Sequence, residues 1–309
     1  MTQTIRVLEM ILPVALMMGI GMYCGRRAIL TQDGIAAVKK VAVDISLSAV
    51  VFSAFAAAEY SLRTAVIPAI MFVVCLVAWA LGQTAQKRLV GQSRYLPALT
   101  TGFEAGMLGY TLYSILYGAD VSAFAAVDLG QVLFVFTVYK LLLGHMNPGA
   151  PRLNVRRDIL SSPIIIAIAA GMLVGATGLY KKLDQWGVAG IVDACTAFVA
   201  APTSALILLS IGYDLVSGQV RWGQAVKAVG VRLVIMAVLG TGTLFLLRGL
   251  FGQDVALERA IVLMFLLPPP FVLPIFADDD QERSSIASAL SLSTLVTMAA
   301  FVVLAAIGA

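Results

Sequence analysis

The stretch Leu267-Pro268-Pro269-Pro270-Phe271-Val272-Leu273-Pro274 decides how this chain folds. Four prolines in seven residues remove four backbone donors and exclude a regular helix. A mere kink needs one. Yet the block around them, about Glu258 to Ala277, is apolar enough to sit in a bilayer. Extended backbone at membrane depth is tolerated only where it is buried in protein or lines a cavity. Its freed carbonyls and the ends of the flanking half-helices can then face ions or polar ligand groups.

The remaining sequence places that block in a membrane protein. Of the 309 residues 60% are hydrophobic and 12% charged, and the mean hydropathy is +0.95. A soluble monomer of this make-up could not cover its surface with polar groups. That excludes a cytosolic enzyme, a nucleic-acid binder and a disordered chain. The apolar residues fall into blocks of about twenty, the length that crosses a ~30 Å hydrocarbon layer. Ten spans are expected, starting near Val7, Val38, Thr64, Tyr95, Ser122, Ile159, Val188, Ala225, Glu258 and Ser284. The first lacks a basic leader and a small-residue cleavage site, so it reads as a helix rather than a signal peptide.

A polar stretch with Pro148, Gly149, Pro151 and three arginines divides the chain into spans one to five (1–144), a cytoplasmic linker (145–158) and spans six to ten (159–309). An offset of 150 residues pairs Pro13 with Pro163, Gly21 with Gly171, Met22 with Met172 and Gly25 with Gly175. In each half the fourth span is the broken one. Five is odd, so the second half enters the membrane upside down. The expected fold is therefore all-α and polytopic: ten transmembrane helices as two inverted five-helix repeats, with helices 4 and 9 broken and crossing. Thirteen of the 21 Lys and Arg fall in connections on one side and six on the other. That bias puts both termini outside the cytoplasmic membrane.

The broken fourth span reads Thr101-Gly102-Phe103-Glu104-Ala105-Gly106-Met107-Leu108-Gly109-Tyr110-Thr111. Three glycines mark an unwound segment, or else a small-residue packing face. Glu104 is the sharpest signal, since a carboxylate near the bilayer centre is costly unless protonated, hydrated or paired. Two functional roles are open, carrying a proton or binding a cationic group. The structural alternatives are bonds to freed backbone N–H groups or an ion pair with Lys140. Asp44 and Ser48 share a face of the second span, and Asp128 and Gln131 one of the fifth. Asp193 precedes Pro202, Thr203 and Ser204. In the tenth span Ser288, Ser291, Thr294 and Thr297 form a hydroxyl stripe. Helix–helix hydrogen bonding is the favoured reading of that stripe over an ion path. The single His145 and the scattered Cys24, Cys75 and Cys195 provide neither a metal cluster nor a redox pair. No catalytic residues, metal or cofactor are expected.

As a set, several segments resemble the auxin efflux carrier family of bacterial transporters, relatives of the plant auxin exporters. They are Ile11-Leu12-Pro13 through Gly25, Phe103-Glu104-Ala105-Gly106-Met107-Leu108-Gly109, and Ser162-Pro163 through Gly171. Pro202-Thr203-Ser204-Ala205-Leu206 with Gly212 follows, then Leu267-Pro268-Pro269 and Ser291-Leu292-Ser293-Thr294-Leu295. The resemblance spans essentially the whole chain. It implies a fold like that of sodium/bile-acid symporters, in which helices one, two, six and seven form a scaffold facing a transport domain of the others. It also implies organic anions or other small solutes as cargo, and a homodimer. Three positions depart from the family pattern: Glu104 replaces a common asparagine, and Thr111 and Ser48 stand where prolines are common. A charged Glu104 would repel an anion, whereas a protonated one would donate a hydrogen bond to it.

The function expected is secondary transport of a small organic solute by alternating access, with proton coupling through Glu104. Candidate solute contacts are Glu104, Gly106, Gly109, Thr111, Pro268, Pro269, Pro270, Ser48 and Ser204. Candidates for proton or ion coupling are Glu104, Asp44, Asp128, Ser291 and Thr294. Expected partners are the solute, membrane lipid and a proton or sodium ion, with no nucleic acid. The alternative within transport is a sodium symporter that uses the crossover carbonyls with Ser291 and Thr294. A membrane-embedded enzyme is disfavoured, having no Ser/His pair, paired protease aspartates or metal cluster. A channel or receptor is a third class. No phosphate-binding loop points to an ATP-driven pump.

Overall fold

A computed structural model describes residues 2–57, 62–89, 93–146, 161–217, 222–277 and 280–308. Every element among them is helical. Helix α1 is Thr2–Arg26. Helix α2, Gln32–Val41, passes through a π-helical segment, Ala42–Leu47, into α3, Ser48–Ala57. The Thr31 hydroxyl starts α2 by accepting the Gly34 N–H at 3.1 Å. Next are α4 (Leu62–Arg88) and the short α5 (Leu96–Leu99). After a break, a π turn at Ala105–Gly109 leads into α6 (Tyr110–Tyr117). Helix α7 (Ser122–Phe134) joins α8 (Lys140–Met146) through a third π segment, Val135–Tyr139.

In the second half, α9 (Pro163–Ala176) and α10 (Leu179–Gln185) meet at 63°. Gly178 makes that corner with φ +68°, a left-handed conformation open to glycine. The bend falls close to Tyr180, the expected end of the sixth span. Helices α11 (Ala189–Ala200) and α12 (Thr203–Ser217) are separated by a turn at Pro202, which cannot donate. The Thr203 hydroxyl covers the exposed Ala200 carbonyl at 2.6 Å. Then follow α13 (Trp222–Phe251), α14 (Val255–Leu266), a 3₁₀ turn (Leu273–Phe276) and α15 (Asp280–Gly308).

Five stretches are long and apolar enough to cross a membrane: Ala65–Arg88, Ser122–Met146, Ala189–Asp214, Gly223–Phe251 and Gln281–Ile307. The bent pair α9–α10 is a sixth if counted as one span. Exposed Ile191, Phe198, Val234 and Val238 show how apolar the outer faces are. These are features of an integral membrane protein. The count of ten spans goes beyond what helix length delivers, because the other expected spans are short, bent or broken. Of the expected linker, His145 and Met146 close α8, while 147–158 lie outside the described residues, as do Asp278 and Asp279 of the acidic turn.

Glycines bring the helix pairs together. A Cβ on Gly21 of α1 would overlap the Leu209 carbonyl of α12, and one on Gly212 would overlap Met18 of α1. A Cβ on Gly171 of α9 would meet the Phe52 carbonyl of α3 at 2.7 Å. One on Gly130 of α7 would overlap the Pro68 carbonyl of α4. At these points backbone packs on backbone, the usual way for membrane helices to approach closely.

Candidate functional site

The two interrupted segments meet. Thr100–Glu104 and Leu267–Val272 are both non-helical, and the Glu104 N–H donates to the Pro268 carbonyl at 2.8 Å. Gly102 takes φ +71°, and a Cβ there would touch Pro270 Cγ at 3.0 Å, so glycine suits both the turn and the contact. Leu267 precedes proline and is extended, with φ −71° and ψ 153°. Glu104 stitches the crossing from its side chain as well. Its Oε2 accepts the Phe271 N–H at 2.6 Å, and its Oε1 accepts the Met107 N–H at 3.2 Å, capping the following half-helix.

Several other backbone groups at and beside the breaks are bonded within the protein, although the buried Thr101 hydroxyl has no partner among the described residues. The Arg232 guanidinium, on α13, donates to Leu99 O at 3.0 Å, Gly102 O at 2.8 Å and Leu267 O at 2.9 Å. The Thr297 hydroxyl donates to Leu266 O at 2.6 Å and the Tyr139 hydroxyl to Ala98 O at 3.0 Å. The Phe103 N–H reaches Gln131 Oε1 at 3.4 Å. Gln131 in turn donates to Asp128 Oδ1 at 2.8 Å, and the Tyr110 hydroxyl donates to Asp128 Oδ2 at 3.0 Å. Each group left open at this depth would cost several kcal/mol, on the order of the full loss of its bond to water.

One cavity lies against the crossover, and a second lies beside the half-helix that follows the first break. Cavity A, about 420 Å³, runs from Lys39, Val43 and Leu47 past Glu104, Gly106, Asp128 and Gln131 to Lys140 and Pro270. All three π segments contribute to its wall, through Val43 and Leu47, Gly106 and Met107, and Val135 and Phe136. Such single-turn irregularities gather at functional sites because they re-aim side chains without ending a helix. The amine of Lys39 pairs with Asp214 at 2.6 Å, and that of Lys140 lies 4.6 Å from the centre of the Phe136 ring. Cavity B, about 500 Å³, lies between Ala49–Ala57, Thr111, Ser114, Asp120 and Ser122 on one side and Asp193–Ser204 on the other. Tyr110 belongs to both walls.

Glu104, Gly106, Asp128 and Pro270 thus gather at cavity A, and Thr111 and Ser204 at cavity B. The other candidates stand elsewhere. Gly109 packs against Phe124 and Leu267, where a Cβ would come within 2.7 Å of Leu267 Cδ1. Pro268 acts through its carbonyl, and Pro269 is buried outside both walls. Ser48 Oγ points at Val43 O, 3.5 Å away, and Asp44 pairs with Lys40 at 2.6 Å. The Thr294 hydroxyl returns to Leu290 O of its own helix at 2.9 Å, and Ser291 lines neither cavity. Arg232, Tyr110, Tyr139 and Lys39 take part here without a role in the sequence reading. A lone arginine amid Val229–Val238 was the available signal for the first.

No family model matches the chain. It is similar to a protein of Methanothermobacter thermautotrophicus described as an uncharacterized transporter, with 22% identity over 303 residues and 94% of each chain covered. The likeness accords with the resemblance to the auxin efflux carriers at the coarse level of a transporter.

Proposed function

We propose that the chain is a secondary transporter, not an enzyme, carrying a small organic solute by alternating access. The carrying observation is a cavity built on the crossover at Glu104 and Pro270, with a second cavity beyond Tyr110, which belongs to both walls. The likeness to a protein described as a transporter supports the same reading. A solute held at Glu104 in cavity A would pass Tyr110 to reach cavity B. By the charge bias, the Lys39 and Lys140 end of cavity A faces the cytoplasm and the Asp120 end of cavity B faces outside.

Ten spans in two inverted repeats account for the packing. The first span packs on the seventh through Gly21 and Gly212, and the sixth packs on the second through Gly171. Two units related by inversion make such reciprocal contacts, first on second, in both directions.

An amphipathic organic anion suits cavity A best. Val43, Leu47, Val51, Val132 and Phe136 offer an apolar wall, and Lys140 stands at its charged end with Lys39, whose amine is paired with Asp214. The charge of Glu104 is turned toward the N–H groups of the crossover, so a coupling proton would occupy a lone pair facing the cavity. The test is a thermal-shift screen of small carboxylates with purified protein, then counterflow in proteoliposomes for any hit. Saturable counterflow that is lost in folded Glu104→Gln supports the reading. Non-saturable flux, or turnover of a lipid or peptide instead, refutes it.

A further inference from the structure

Arg232 sits about a third of the way along α13, 3% exposed, with Val231 and Leu233 beside it in the chain. A cation at that depth needs compensation. Among the described residues it forms no ion pair, and its three bonds all go to backbone carbonyls. Leu99 O ends the short helix before the first break, Gly102 O lies within that break and Leu267 O within the second. These oxygens carry the negative partial charge of half-helix ends and unwound backbone. Inward-facing carbonyls from two crossing breaks are the chemistry that holds a sodium ion in other carriers. Here one guanidinium spans both breaks, with the Phe103 ring 5.6 Å from its Cζ.

We propose that Arg232 is a built-in cation, occupying with its guanidinium the carbonyl cluster that a coupling metal ion would otherwise need. The crossover is thereby assembled without sodium. The planar fork matters, because three acceptors from two chain segments are met at 2.8–3.0 Å by two nitrogens of one rigid group. Arg232 is a positioning residue. It touches no solute in cavity A, and it acts by fixing Gly102 against Leu267, which sets where Glu104 and Pro270 stand. The inference concerns assembly of the crossover, so it does not depend on which solute is carried or on transport itself.

The experiment is thermal unfolding of the purified full-length chain in detergent. Wild type melts at the same temperature in sodium chloride and in choline chloride of equal ionic strength. A saturable stabilisation specific to sodium overturns the proposal. Arg232→Ala lowers the melting temperature on the order of 5–10 °C. Millimolar guanidinium chloride restores part of that loss, whereas it leaves wild type unchanged or slightly lowered. Arg232→Met, which keeps the volume without the donors, falls as far as Arg232→Ala. A wild-type-like Arg232→Met, or an Arg232→Ala that guanidinium does not restore, overturns the proposal. Should neither variant be recovered folded, Arg232→Lys keeps the charge without the fork and must melt below wild type. Equal melting refutes the role of the fork, and the sodium comparison on wild type decides the rest.

Discussion

Replacing Glu104 by alanine tests the stitched crossover directly. The side chain accepts two backbone N–H bonds, from Phe271 at 2.6 Å and from Met107 at 3.2 Å. The Phe271 bond joins the two breaks and is of the charge-assisted kind, each contributing about 1.5–3 kcal/mol. The Met107 bond caps a half-helix, and loss of a cap costs about 0.5–2 kcal/mol. Alanine removes both acceptors where water is scarce, so the loss is roughly 2–5 kcal/mol. At roughly 2 °C per kcal/mol for a chain of this size, the melting temperature falls about 4–10 °C. Glutamine keeps one oxygen but sets an amide N–H against the other donor, and should lose about half as much. Aspartate is a good cap but too short to span the crossing, so it should keep the Met107 bond and lose the Phe271 bond. Thermal unfolding followed by size-exclusion of heated samples gives the order wild type, then Glu104→Gln and Glu104→Asp, then Glu104→Ala. An alanine variant that melts with wild type, or an aspartate variant less stable than alanine, would refute the reasoning.

Two further predictions bear on the cavities and on packing. Tyr110→Ala removes from the wall between the cavities both the ring and the hydroxyl that binds Asp128, at a stability cost of about 3–5 kcal/mol. In a background without native cysteines, a cysteine at Val135 in cavity A should then react with an impermeant maleimide from the opposite membrane face; unchanged sidedness counts against Tyr110 as the divider. Gly130→Ala drives a methyl into the Pro68 carbonyl, while Gly19→Ala meets open space. The first should cost about 1–3 kcal/mol or more, and the second should be neutral or gain up to about 1 kcal/mol. Equal melting of the two would show that the close approach of α4 and α7 does not matter.

The sequence made the breaks legible, and the reason is local. Prolines 268–270 lack donors wherever they sit, and Gly102 with Glu104 is anomalous in an apolar run whatever surrounds it. Glu104 as a ligand of freed N–H groups was one of the alternatives those residues left open. The partners of Arg232 were not legible, because it binds carbonyls 133, 130 and 35 residues away and backbone oxygens leave no mark in a sequence. The hydroxyl stripe of the last helix shows the same limit. Spacing put Thr294 and Thr297 on one face, but only Thr297 reaches the Leu266 carbonyl, while Thr294 bonds its own helix. Asp44, a coupling candidate that could also sit near an interface, pairs with Lys40 one turn away, a local partner that the i,i+4 spacing made visible. The three π segments were invisible, since periodicity does not distinguish one inserted residue from a shifted apolar stripe.

The hydrogen bonds divide the helices into two sets. Those closing the crossover come from α7, α8's π lead-in, α13 and α15, through Gln131, Tyr139, Arg232 and Thr297. The other set is joined by Lys39 to Asp214, by Tyr180 to Asp193 at 2.7 Å, and by the Gly21, Gly171 and Gly212 contacts. Cavities A and B both lie on the boundary between the sets, with α2–α3 and α11–α12 supplying the far walls. Opening the crossover would orphan the carbonyls bound by Arg232, Thr297 and Tyr139, so it is expected to move as a unit rather than as a gate. Any alternation of access must then come from sliding at the boundary, where contact is largely apolar. A Leu47→Cys/Gly106→Cys pair probes this, because a Cβ on Gly106 would lie 3.5 Å from Leu47 Cδ2 across the boundary. Oxidation of that pair should stop solute exchange, and reduction should restore it. Gly25→Cys/Val216→Cys, where a Cβ would lie 2.9 Å from Val216 Cγ2 within one set, should leave exchange intact. Exchange that persists through a fully formed Leu47–Gly106 cross-link would mean that the two sets do not move past each other.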